Sequence, residues 1–212
     1  MQANDVPGHL TPSAASGYGF AAVLLIWFST LISYKCVSYI WALTFVTDDG
    51  SIYYQSALAI LIVAGMALYR RPRLLSLSKW VPRPLDLALA IPLGVFFVFG
   101  EILLLPDQMR VPLPPDRLLP WLVISIGPFG EELLMRGICL RSLQEREPLW
   151  FAIAVITLLS AIGHPSFWSA IPSQLILCVF YTVRQNSLAA SLALHVTINA
   201  MLVFHVERFF HR

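Results

Sequence analysis

The sequence predicts an all-α fold, a polytopic transmembrane bundle of about seven spanning helices. Three observations carry this reading. Charged residues make up only 12% of the 212-residue chain and hydrophobic ones 58%, whereas a soluble domain carries about 25% charged residues. That leaves too little polar surface to cover a water-soluble globule. Seven apolar stretches approach the roughly 20 residues that a spanning helix requires. The connections between them are short and rich in helix breakers. A net charge of +2, with no basic patch interleaved with aromatics, argues against a nucleic-acid partner.

The elements follow in order. Residues 1–16 form a polar tail without Lys or Arg. It lacks the basic region of a signal peptide, and the apolar run after it is too long for one, so a retained first helix is expected. That helix covers 18–46, with Lys35 snorkelling toward an interface. The second covers 52–69 and the third 85–105, ending near Glu101. The fourth lies within 118–143 and is broken near the "GPFG" of 127–130. The fifth covers 149–164, the sixth 168–183 and the seventh 188–206. Residues 17–115 thus read as N-terminal transmembrane helices and 116–212 as the helical core that carries the polar cluster, all in one integral-membrane domain without internal repeat. Cys36, Cys139 and Cys178 lack metal-type spacing and read as buried small hydrophobes.

The connection between the second and third helices holds Arg70, Arg71, Arg73, Lys79 and Arg83. The positive-inside rule makes it cytoplasmic, which puts the N-terminus inside and the C-terminus outside. Arg141, Arg146 and Arg184 then fall inside as well, while Arg110, Arg117, Arg208 and Arg212 are exceptions. The expected location is a bacterial inner membrane, with the lipid bilayer as the surrounding partner.

Ionisable groups at membrane depth cost roughly 2.5–3.5 kcal/mol each on insertion scales, so they persist where they are paired or used. The stretch "GPFGEELLMRG" concentrates them. Pro128 suits the first turn of a helix, so "GPFG" marks a helix start, and irregular backbone at this depth implies a cavity. Glu132 and Arg136 are four apart in the order that favours an ion pair. Glu131 lies about 100° round the helix from Glu132, which leaves it without that partner. In "HVTIN", His195 and Asn199 share a helix face and offer an imidazole and a carboxamide to one point. That suits either the donor pair of an oxyanion hole or an interhelical hydrogen-bond pair. His164 ends the fifth helix between Gly163 and Pro165. A carboxylate with an imidazole forms a workable pair for activating water. His9, His205 and His211 read as non-catalytic, and Glu101 as structural or interfacial, within reach of water.

"EELLMR", His164 and "HVTIN" together resemble the three motifs of the CPBP family, the CAAX-protease and bacteriocin-processing group also called ABI. Glu131, Glu132 and Arg136 match its first motif and Gly137 follows. His164 matches the second, although Ser160 stands where that motif has an aromatic, and His195 and Asn199 match the third. The resemblance covers about residues 118–206. It implies a glutamate-dependent intramembrane endopeptidase acting without a cofactor on a membrane-anchored or secreted protein. Glu131 would be the base, His164 its partner on water, His195 and Asn199 the oxyanion donors, and Glu132 and Arg136 a supporting pair. The Ser160 departure bears on pocket shape more than on chemistry.

Rival readings are a zinc hydrolase on Glu131, His164 and His195, a non-catalytic scaffold or immunity protein, and a transporter. Chelation separates the first, and Glu131→Gln the second. The expected topology places the site in a cavity open to the outer half of the bilayer. Nothing in the sequence specifies the substrate or the oligomeric state.

Overall fold

A computed structural model describes residues 18–44, 51–70, 80–104, 124–164 and 167–210, and the fold is an all-helical bundle. Its rods are α1 (Phe20–Thr44), α2 (Ser51–Arg70), α3 (Pro84–Leu104), a composite fourth, α6 (Leu149–Ile162), α7 (Phe167–Val183) and α8 (Leu188–Phe210). In the composite rod α4 (Ile126–Glu131) runs into a π-helical segment (Glu132–Leu140) and then α5 (Arg141–Gln144). This is the helical membrane bundle the sequence predicts. Two stretches, Phe20–Ile40 and Pro84–Leu103, are long and apolar enough to cross a membrane by themselves, and 55–70, α6, α7 and 188–203 are apolar but shorter. Leu25, Phe28, Ile32 and Tyr39 of α1 and Phe96, Phe99 and Leu103 of α3 stand exposed. In water such a surface is an aggregation hazard; in a bilayer it is the lipid face. Cys36 departs from expectation by joining this exposed surface, while Cys139 and Cys178 are buried.

The expected helix start near "GPFG" is present. Ser125 occupies the N-cap position of α4, the Phe129 N–H donates to the Ser125 carbonyl at 3.1 Å, and Pro128 sits in the first turn. Any helical piece before residue 124 lies outside the described residues. The sequence reading did not anticipate the π-helical segment that follows. Its wider turn shows where the Arg141 N–H donates to the carbonyl of Arg136, five residues back. Such turns are uncommon and gather at functional sites. Gly137 lies in it because a Cβ there would stand 3.0 Å from Leu188 Cδ1. The rod therefore crosses the start of α8 at close range.

Side-chain contacts bring several helix ends together. Tyr18, before α1, donates to the Ala67 carbonyl near the end of α2. Gly19 lies beside Arg146. Gln144 donates to Thr182 at 3.1 Å, tying α5 to the end of α7. Arg184, after α7, pairs with Asp86 at the start of α3, and Arg83 donates to Gln185 at 3.3 Å. Arg70, Arg83, Arg146 and Arg184 thus share one end of the bundle. Asp86 also accepts the Arg83 N–H at 3.1 Å, so it caps α3 and clamps it to the α7–α8 turn. Asp86→Ala removes a cap of about 1 kcal/mol and charged hydrogen bonds of about 1.5–3 kcal/mol. It is expected to lower the melting temperature in detergent without moving the site described below. An unchanged melting temperature would show that the clamp adds nothing.

Helices α3 and α8 start at this same end and run parallel. They approach closely at Gly94, where a Cβ would fall 2.8 Å from Thr197 Cγ2. Small residues give membrane helices this proximity. Gly94→Leu is expected to prise α3 off α8 and to reduce the yield of folded protein, read by size-exclusion in detergent. Glu101, expected within reach of water, is instead buried on α3, and its Oε1 makes no hydrogen bond to a described group.

Candidate active site

The residues singled out from sequence occupy three rods. Glu131 ends α4 and Glu132 opens the π segment. His164 follows the end of α6. His195 and Asn199 lie on α8, one turn apart. At 1.5 Å per residue, His195 stands about 10 Å along α8 from the basic end and His164 about 21 Å along α6. The cluster therefore lies part-way along the rods, away from the basic end.

Glu132 is the hub. Its side chain is 2% exposed, and Oε1 lies 3.2 Å from Arg136 Nη1 and 2.8 Å from His195 Nδ1. Ser191 Oγ donates to its other oxygen, Oε2. The four-residue spacing does produce the Glu132–Arg136 pair, but the pair is not self-contained. Arg136, fully buried, continues through Nη2 to the backbone carbonyl of Gln174 at 3.2 Å and to that residue's side-chain oxygen. Burying two charges is tolerable only when hydrogen bonds fill most of their remaining valences; Ser191, His195 and Gln174 supply several, while Arg136 Nε and Nη1 hydrogen-bond no described group.

Glu131 differs in every respect. Its side chain is 28% exposed, and Oε2 lies 3.8 Å from Nε2 of His164 and 3.8 Å from Nε2 of His195. The carboxylate sits between two imidazoles, at a separation longer than a direct hydrogen bond. His164 is about a third exposed, so the Glu131–His164 side of the cluster is the wet one. Glu132, Arg136 and His195 form the dry side.

Geometry also fixes protons. A carboxylate accepts only, so the proton on His195 Nδ1 points at Glu132 and its Nε2 faces Glu131. The sequence reading placed His195 beside Asn199 as an oxyanion donor, and the structure adds that Glu132 orients its ring. Asn199 is half-buried, one turn further along the same face.

Two participants escaped the sequence reading. Ser191 precedes His195 by one turn, so Ser191, His195 and Asn199 make a single polar stripe on an apolar helix, which was legible. Gln174 is isolated in "IPSQLILCVF" on α7, and only its contact with Arg136 and His164 gives it meaning. Ser160, at the motif's aromatic position, is buried with no hydrogen bond from Oγ to a described group. An aromatic from another helix, Trp27 of α1, lies next to it and donates to the Leu159 carbonyl at 2.9 Å.

For a metal, the donor set is poor. Among the described residues no group of three His, Cys, Asp or Glu side chains is arranged to hold one. His164 Nε2, which a metal would need, already faces the Gln174 amide at 3.0 Å.

A family model described as Rce1-like, type II CAAX prenyl endopeptidase, matches residues 114–201. This stretch is Rce1-like. The match bears out the CPBP resemblance read from the motifs and spans Glu131, Glu132, Arg136, His164, His195 and Asn199. The match covers 88 of the 212 residues and likens this part of the chain to a family of membrane endopeptidases. No curated protein and no solved structure gives a significant match.

Proposed function

We propose that the protein is an intramembrane endopeptidase in which Glu131 activates water against a peptide bond of a membrane-anchored or secreted protein. One observation carries this reading. Of the two adjacent carboxylates, Glu132 is saturated by Arg136, Ser191 and His195, while Glu131 is partly wet and held between two imidazoles. Two carboxylates and one guanidinium leave one net negative charge, and that charge faces the accessible side.

A water between Glu131 and His164 gives its proton to Glu131, and its oxygen attacks the carbonyl carbon. The oxyanion that forms lies within reach of His195, whose ring Glu132 orients through Nδ1, and of the Asn199 carboxamide. Glu131 then returns the proton to the leaving nitrogen as the C–N bond breaks. No cofactor is needed in this scheme, which uses only groups the chain supplies.

Helix lengths bear on the route in. α6 spans about 21 Å and α7 about 26 Å at 1.5 Å per residue, short of the roughly 30 Å hydrocarbon layer, while the 23-residue α8 spans about 35 Å. All three have an end among the basic residues, so the α6–α7 turn beside His164 falls short of the opposite face. With the basic end cytoplasmic, in a bacterial inner membrane, substrate reaches the site from the outer half of the bilayer. A proteome-wide comparison of protein C-termini tests the function, using cells that make wild type or Glu131→Gln. New C-termini in membrane-anchored proteins are expected only with wild type, and identical profiles would refute the reading. A reporter fused at the C-terminus that is active only inside would reverse the orientation.

A further inference from the structure

Gln174 is 1% exposed in the middle of α7 and carries a polar amide among apolar neighbours. The two ends of that amide face different partners. Arg136 Nη2 donates to Oε1, and Nε2 lies 3.0 Å from Nε2 of His164. A guanidinium has no acceptor, so the end toward Arg136 is the oxygen and the end toward His164 is the NH2. Amide orientation is ordinarily ambiguous, but here a donor-only neighbour resolves it. Arg136 also holds the Gln174 backbone carbonyl at 3.2 Å, so main chain and side chain are gripped by one cation.

An N–H directed at a ring nitrogen at 3.0 Å requires that nitrogen to offer its lone pair. We infer that Gln174 is a positioning residue that holds the proton of His164 on Nδ1, with the Nε2 lone pair accepting the Gln174 N–H beside Glu131. The charged and titratable groups around this ring are Glu131 at 3.8 Å, Arg136 behind Gln174, and His195 across Glu131. Without Gln174, His164 Nε2 would be free to carry the proton and to donate to Glu131, which would then lose its access to water. The Gln174 N–H opposes this, because two N–H groups would then face each other. The pair of histidines is thereby split. His195 is backed by a carboxylate, which accepts, and His164 by an amide N–H, which donates. The catalytic meaning of this split rests on the endopeptidase reading, whereas the tautomer of His164 does not.

The test is nitrogen NMR on the full chain, labelled with 15N-histidine and held in lipid nanodiscs near neutral pH. His164 is assigned by the signals lost in His164→Ala. The wild-type ring is expected to show a protonated Nδ1 and an unprotonated Nε2. Gln174→Glu, whose carboxylate accepts, is expected to protonate both nitrogens at the same pH. Gln174→Leu is expected to give mixed tautomers. A role confined to packing would leave the ring signals of folded variants unchanged, and that result overturns the inference. So does a wild-type ring carrying its proton on Nε2, a measurement that needs no folded variant at position 174. If the ring behaves as expected but wild type cleaves nothing in cells, the endopeptidase reading fails and the positioning role stands.

Discussion

Glu131→Gln is expected to lower the cleavage rate by about 10²–10⁴-fold, the usual contribution of a positioned acid–base group, while the melting temperature in detergent stays at the wild-type value. The two halves of this prediction come from the same geometry. Glu131 holds no partner closer than the two imidazole nitrogens at 3.8 Å, and its side chain is 28% exposed. Glutamine is nearly isosteric, so little packing changes, but an amide takes no proton from water. The measurement pairs quantitative detection of cleaved C-termini with thermal unfolding of the purified variant. Full cleavage by a folded Glu131→Gln protein would eliminate the base role. A parallel arm with a strong chelator addresses the zinc reading: wild-type cleavage is expected to survive chelation, and its loss with recovery on added zinc would favour the metal.

Arg136→Met is expected to have the largest effect on stability, about 3–5 kcal/mol, the cost of stripping one partner from a buried ion pair. The substitution leaves Glu132 ionised at 2% exposure and releases Gln174 at both its carbonyl and its amide. Arg136→Lys is expected to recover little, because a compact ammonium cannot reach Glu132 and Gln174 together as the planar guanidinium does. Adding Glu132→Gln to Arg136→Met is expected to restore part of the loss by removing the orphaned charge. A double mutant that is less stable than the sum of its parts would contradict the account. Unfolding in denaturing detergent, followed by tryptophan fluorescence, supplies the four corners of this cycle.

Much of the site was legible in the sequence because it is written in helical spacing. Glu132 and Arg136 are four positions apart, as are His195 and Asn199, and the two glutamates are adjacent. On a helix these spacings decide which side chains pair and which is left over. The rods were legible for a similar reason, since a bilayer demands long apolar runs and the runs are there. The π-helical turn was not. Nothing in the spacing of the apolar and polar residues separates a wide turn from an ordinary one. Gln174 was not legible either. A lone glutamine in an apolar helix is ordinary until something brings an arginine and a histidine to its two ends.

By itself, then, the sequence determined a helical membrane bundle and the pairing of Glu132 with Arg136 that leaves Glu131 apart, because both follow from composition and from periodicity within single helices. Only the tertiary structure decided that Glu132 orients His195, that Gln174 faces His164, and that Glu131 stands between the two imidazoles. These are contacts between different rods. Their geometry depends on how the helices cross, and spacing along one helix carries no information about the helix it will meet.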